Sequence, residues 1–530
     1  MRLMTSRVSF ITVILMVAPV SAEKVTLEEI VKLRKMAAHR QRRIVFHSDG
    51  MSMNPQKRIL EPGDCVLPFL PGTPTDACTY SLIHQFPVVR LYRSKVGQEW
   101  PPGNIEKMYG DGPDGLELYI EFCRQNGYEA FWAMRTNDTH DAADTEHGLR
   151  RWNSNKWKQA HSELLVSSRD RHLHYAQWSA FDYAQPKVRE KVFLILEEVC
   201  RNFDIDGLLL DFFRHLPTFK STAWGGEASD EERAMMNGLF RQVRKMMDEV
   251  GAQRGRPILL AVRTPDAPAY CRALGLDVEQ WMQEELIDIW IATGYFRLQE
   301  WEETVKIGHK YGVPVWASID ESRIQGRENR GSLEAYRSRI MNAWHAGVDA
   351  IWMFNFFHYP QDRQFQLLFE AGDPKTLAYT DKMYVADARG QTYGRYYLKG
   401  GERFFTRPNT FSPLQPVHLK SDEPRVVDLR ISDDPRSAPA AGYTAEITLR
   451  IQASPGSGRD DLRVKLNDVL LSETVPIQDP DYGRDWVAFT VKPALVTPGM
   501  HRVEIARGSG SRREPILRDL QLWIKYRSKK

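Results

Sequence analysis

Cysteine is scarce: five residues among 530. No CxxC pair occurs, and no His/Cys spacing of the kind that builds a structural zinc site. No charge dominates either. Lys and Arg total 72 against 69 Asp and Glu, a formal net charge of +3. The basic residues are scattered, so the concentrated basic face that nucleic-acid binding uses is missing. Beyond the N-terminus no apolar run is long enough to cross a bilayer. No glycine-rich nucleotide loop follows the first strand-like segment, which argues against a doubly wound open sheet.

What is present begins with a leader-like segment. Arg2 and Arg7 precede the apolar run 8–17, and Val20-Ser21-Ala22 offers small residues before Glu23. This pattern predicts an export signal over 1–22, too short to serve as a span and removed in the mature chain. The protein is therefore expected outside the cytoplasm. There Cys65 and Cys78, which flank a Pro/Gly-rich stretch, have the option of pairing. Cys123, Cys200 and Cys271 sit in helix-like contexts and read as buried free thiols.

From about 40 to 360, short apolar strands alternate with helical runs. The expected strands are 43–47, 88–92, 129–135, 207–211, 257–263, 288–293, 313–319 and 349–355. Helices are expected over 115–125, 186–202, 231–250, 277–285, 300–311 and 332–346. Eight βα units in roughly 320 residues predict a (β/α)8 barrel. Long insertions over 50–79 and 136–179 follow strand ends, where they would cover the active-site face. The barrel is expected over 23–379 and an aromatic-rich connector over 380–424. Alternating strands and Gly/Asp/Pro turns over 425–530 then predict a β-sandwich, with a packing role slightly favoured over carbohydrate binding.

Ionisable and polar residues cluster where the expected strands emerge. Strand one offers His47 and Asp49, strand two Arg90 and Tyr92, and strand three Arg135, Asn137, Asp138, His140 and Asp141. Strand four ends on Asp211, with Arg214 and His215 behind it. Strands five to eight offer Arg263, Tyr295, Asp320 with Glu321, and Asn355 with His358. Single members have plain structural readings: Asp211 as a helix cap, Asp320-Glu321 as a solvated acid pair, and the 137–139 sequon as chance. The joint pattern, polar above an apolar interior, is what a barrel enzyme needs.

Glycoside hydrolysis suits this layout, because it sets two carboxyl groups against one bond. Asp211, beside Arg214 and facing Arg263, suits the ionised role. Glu321 or Asp320 suits the acid/base, with Asp138 and Asp49 as competitors. Trp132, Trp152, Trp178 and Tyr295 are candidate sugar platforms, whereas Trp290 and Trp352 read as outward core packing. Arg90, Arg135 and Arg263 would fit an anionic glycan, uronic or sulfated. Pairing with Asp49, Asp138 and Asp211 explains the same arginines equally well. No cofactor is expected. One alternative is a metal-dependent hydrolase using His47, Asp49, His140, Asp211 and His358. The other is a glycan-binding barrel without chemistry.

Four stretches, FWAMRTNDTHD (131–141), WSAFDYAQPKVR (178–189), DGLLLDFFR (206–214) and GLDVEQW (275–281), resemble exported glycoside-hydrolase-like TIM-barrel proteins. These are related broadly to the α-galactosidase and α-amylase barrels. The resemblance spans about 40–375. It implies a (β/α)8 barrel that hydrolyses glycosidic bonds in a polysaccharide or oligosaccharide, with the strand-four carboxylate Asp211 as nucleophile. Strand six ends Ala292-Thr293-Gly294-Tyr295, without the acid α-galactosidase-like barrels place there. Strand five ends Val262-Arg263-Thr264, without the glutamate of α-amylase-like barrels. The resemblance therefore leaves the acid/base open.

Overall fold

The computed structural model describes residues 25–529 apart from 50–69, 84–85, 90–91, 100–102, 172–177, 214, 293–296, 321–330, 357–360, 386–400, 407–410, 412–415, 421–422, 455–456, 478–484, 510 and 512–513. Eight parallel strands close on themselves: β1 Ile44–Ser48, β2 Ala77–Ile83, β3 Glu129–Arg135, β4 Gly207–Asp211, β5 Leu259–Thr264, β6 Ile289–Ala292, β7 Val315–Asp320 and β8 Ala350–Phe354. β1 pairs with both β2 and β8, which shuts the barrel. The helices Gly115–Gln125 and Pro186–Asn202 keep their expected bounds. Capping explains the first: the Asp114 carboxylate accepts the N–H of Leu116 and Glu117, while Glu117 accepts the N–H of Asp114.

Strand two departs from expectation. The barrel strand is Ala77–Ile83, while Val88–Val89 is a two-residue piece that meets β2 only at Ile83↔Val89. Thr79 and Ser81 put hydroxyls on the inner face of β2, so the segment does not read as the apolar run of a buried strand. Cys78 lies on it as a buried free thiol, and Cys65 falls outside the described residues. Cys123, Cys200 and Cys271 are buried free thiols, as expected.

Register and the two-residue pleat set which side chains point inward. Phe131 on β3 meets Trp316 on β7 across the interior, ring centroids 5.9 Å apart. Gly207 starts β4 beneath that ring; a Cβ there would lie 2.3 Å from Phe131 Cε1. Four residues further along each strand, Arg135, Asp211 and Arg263 stand in register side by side. The interior thus changes from apolar to ionic along its length. Trp352 also points inward, against the expectation of outward packing, with the Arg263 guanidinium 4.6 Å over its ring. Trp290 has the opposite parity and faces outward, its indole N–H donating to the Thr264 hydroxyl at 2.8 Å.

The C-terminal part is a β-sandwich. One sheet holds β9 Lys382–Val385, β11 Tyr443–Gln452, β13 Trp486–Val491, β15 Asp519–Ser528 and the short Thr474–Val475. The other holds β10 Arg425–Ile431, β12 Leu462–Leu466, β14 Gly499–Arg507 and Val469–Leu470. β9 lies in the segment expected as connector, yet it pairs with β15. The barrel helix Leu333–His345 docks on this part. Ser338 donates to the Met383 carbonyl at 2.6 Å, and Asn342 bonds the Arg430 carbonyl and the Ser432 hydroxyl.

Gly207→Ala tests the interior packing. Overfilling the space beside Phe131 is expected to lower stability by roughly 1–3 kcal/mol. Denaturant unfolding checks this, and Gly207→Ala combined with Phe131→Leu should recover part of the loss.

Candidate active site at the barrel rim

Asp211 is the last residue of β4, and its side chain is buried (1% exposed). Its Oδ1 accepts the Phe213 N–H at 2.9 Å, and its Oδ2 lies 3.1 Å from Arg263 Nη1. The guanidinium of Arg263 is itself sandwiched against Trp352 and Phe354. These aromatic faces hold the cation in place, so the carboxylate is held from two directions. The backbone is pinned too: Thr136 donates both its N–H and its hydroxyl to the Asp211 carbonyl, each at 3.1 Å.

Arg135, next to Asp211 in register, turns its guanidinium to two other carboxylates. Nη2 lies 2.5 Å from Asp49 Oδ2, and Nη1 lies 2.8 Å from Asp138 Oδ2. Asp49 also takes Asn355 Nδ2 at 2.6 Å and His47 Nε2 at 3.1 Å. Asn355 has left-handed backbone (φ 48°), a conformation Asn tolerates better than most residues, and its side-chain carbonyl accepts the Asp49 N–H at 2.9 Å. It clasps Asp49 at main chain and side chain at once. Trp352 Nε1–H donates to Thr79 Oγ1, which lies 2.8 Å from His47 Nδ1. With the indole proton on its lone pair, the hydroxyl gives its own proton to Nδ1. The His47 proton then sits on Nε2 and points at Asp49, an assignment that satisfies every group. Burial pushes the His47 imidazole below its ordinary value, against the pull of Asp49.

The turn after β3 carries a second cluster. Asp138 Oδ1 accepts His140 Nδ1 at 2.5 Å and the His140 N–H at 3.0 Å. Burial alone would raise the Asp138 carboxyl, but His140, Arg135 and His215 outweigh it and hold it well below the usual range. The His140 and His215 rings stand nearly perpendicular, centroids 5.0 Å apart. Asp138, His140 and His215 each offer a ligand atom, all within 4.8 Å of one another. Of the metal set expected from the sequence, only His140 belongs to this group. His47 and Asp49 bond each other, Asp211 is bridged to Arg263, and His358 falls outside the described residues.

Asn137, expected to touch substrate, instead spends its amide on main chain. It donates to the Phe181 and Pro217 carbonyls and accepts the Phe181 N–H. It thereby stitches the long loop after β3 to the loop after β4. The tryptophans expected as sugar platforms mostly pack within the protein. Trp132 is fully buried, and Trp178 packs at a tilt against Trp152 and donates to the Ala142 carbonyl. Arg90, Arg214, Tyr295 and Glu321 lie outside the described residues, as does the side chain of Asp320, whose backbone pairs with Phe354.

Three features escaped the sequence reading. Lys158 and Asp141 form a fully buried ion pair at 2.9 Å, joined by Ser179. The signal was a lone lysine in an aromatic stretch, which also reads as surface. Trp224, on the loop after β4, is 41% exposed with the Arg171 guanidinium 4.7 Å over it. The Trp-Gly-Gly sequence there was a usable cue. Thr79, the relay between Trp352 and His47, was hidden by the displaced second strand.

No family model matches the chain, and no curated protein sequence does. Among solved structures it is similar to a cycloisomaltooligosaccharide glucanotransferase from a Paenibacillus species (9% identity, 91% of this chain and 57% of that one, TM-score 0.34). It is similar to a family 36 α-galactosidase from Geobacillus stearothermophilus (10% identity, 88% and 56%, TM-score 0.36). A glycoside hydrolase family 18 N-acetylglucosaminidase from Paenibacillus barengoltzii is a third (11% identity, 62% and 99%, TM-score 0.37). The chain spans a little over half the length of the first two. At such identities a likeness of shape carries no likeness of chemistry.

Two outcomes follow from the rim geometry. Asp211→Ala removes one partner of a buried ion pair, so a loss of about 3–5 kcal/mol is expected in denaturant unfolding, with Asp211→Asn milder because it keeps an acceptor for the Phe213 N–H. Because the His47 value is lowered on folding, its contribution is intact above about pH 6.5, the unfolded value, and declines as pH falls below it. Unfolding free energies measured from pH 7.5 to 5.5 should therefore slope downward, with a shallower slope in His47→Asn.

Proposed function

We propose that this protein is an exported glycoside hydrolase acting on a polysaccharide or oligosaccharide by a two-carboxylate mechanism. The observation that carries the reading is the setting of Asp211. It is a buried carboxylate at the tip of barrel strand four, held by a stacked guanidinium and a backbone N–H. Barrel active sites are built at that end of the strands. A carboxyl group in that position is what a nucleophile or base requires.

The partner acid/base comes, in this reading, from the end of β7, where Asp320 and Glu321 follow one another. Asp138 does not suit that role. An acid must carry a proton near neutral pH, and His140, Arg135 and His215 keep Asp138 deprotonated. Asp138 and Asp49 instead orient Arg135. The case for an anionic glycan weakens, because Arg135 and Arg263 are already matched by carboxylates. The favoured substrate class is a neutral glycan. Trp224, exposed on the loop after β4, is an aromatic available to stack on a sugar ring.

The test is a panel of neutral, uronic and sulfated glycans incubated with purified protein, with products read by chromatography. Turnover of a neutral glycan is expected. Glu321→Gln or Asp320→Asn should lower kcat/KM by roughly 10²–10⁴-fold, the range for a lost acid/base, and Asp211→Asn by at least as much while still folded. Full activity in folded Asp211→Asn overturns the assignment. Glycan binding without product in wild type would favour a barrel that binds and does not cleave.

A further inference from the structure

The Asp138 cluster is not used by the proposed hydrolysis, and its donor set has a chemistry of its own. We propose that Asp138, His140 and His215 bind one divalent transition-metal ion of the zinc type, a site independent of the glycosidase reading. Two imidazoles and one carboxylate form a donor set that suits first-row divalent ions. The three ligand atoms already lie within 4.8 Å of one another, so convergence on one ion needs only side-chain adjustment. Asp138 and His215 are buried, while His140 is partly exposed and gives the ion a route in.

The surroundings fit an ion as well. Arg135 holds Asp138 Oδ2 at 2.8 Å, which directs Oδ1 toward His140. His215 Nδ1 accepts the Thr139 N–H at 3.1 Å, which fixes the ring of His215 against the turn that carries Asp138 and His140. An ion here would tie the turn after β3 to the loop after β4, on the flank of Asp211.

The test uses the full chain, stripped with chelator and desalted, then titrated with Co²⁺ and, in competition, Zn²⁺. Visible d–d absorption should saturate at one ion per chain, and proton NMR of the Co²⁺ form should show shifted resonances from two imidazoles. Saturable binding should be lost in His140→Ala and in His215→Gln and retained in His309→Ala, a histidine elsewhere on the surface. Arg135→Lys should weaken binding by about 10–100-fold, the usual effect of a disturbed outer partner. Absence of saturable binding in wild type overturns the proposal. So does full binding in the His140→Ala/His215→Gln double variant. Should those variants not fold, the wild-type Co²⁺ spectrum decides: resonances from fewer than two imidazoles overturn the assignment.

Discussion

Arg135 is the group on which the rim depends. One guanidinium at the tip of β3 serves Asp49 from β1 and Asp138 from the following turn, and its backbone stands in register with Asp211. Its planar fork presents several N–H donors at fixed angles, so it can hold two carboxylates apart as well as together. A lysine could balance charge but not impose that geometry. Around this fork the other contacts follow: Asn355 clasps Asp49, the His47–Thr79–Trp352 chain supports it from below, and the His140 turn closes over Asp138.

Much of the fold was legible because barrel strands carry their burial in their composition. β3 and β4 occupy the expected residues, and after Glu129 at the start of β3 their side chains are apolar on both faces until the rim. β2 was misplaced for the converse reason. Its inner face bears Thr79 and Ser81, and the more strand-like Val-Val pair lay just downstream. Trp352 was misassigned because a large aromatic in a barrel strand usually packs outward; here Arg263 spreads across it from inside.

The site was legible residue by residue and illegible as a network. Asp211, Arg263, Arg135, Asp49 and Asp138 could be named from strand ends, yet which carboxylate meets which arginine depends on register and rotamer. Arg263, 52 residues from Asp211 in sequence, is bridged to it as expected, while Arg214 falls outside the described residues. Asn137 lay within a motif and so looked functional, while its work is to join two loops. Lys158 could not be read at all, since a fully buried lysine is rare enough that sequence pattern assigns it to the surface.

The helix Leu333–His345 has a further meaning. It follows β7, whose tip carries the proposed acid/base, and its far side donates hydrogen bonds to main-chain carbonyls of the C-terminal part and accepts one from the Ser432 hydroxyl. Beside the apolar contact of Ala335 with Met383, Trp486 and Trp523, these polar groups would lose their partners if the sandwich were taken away. The two halves are therefore not interchangeable cassettes. Replacing the C-terminal half would leave those polar groups of a barrel helix to find new partners, even though that half lies away from the rim.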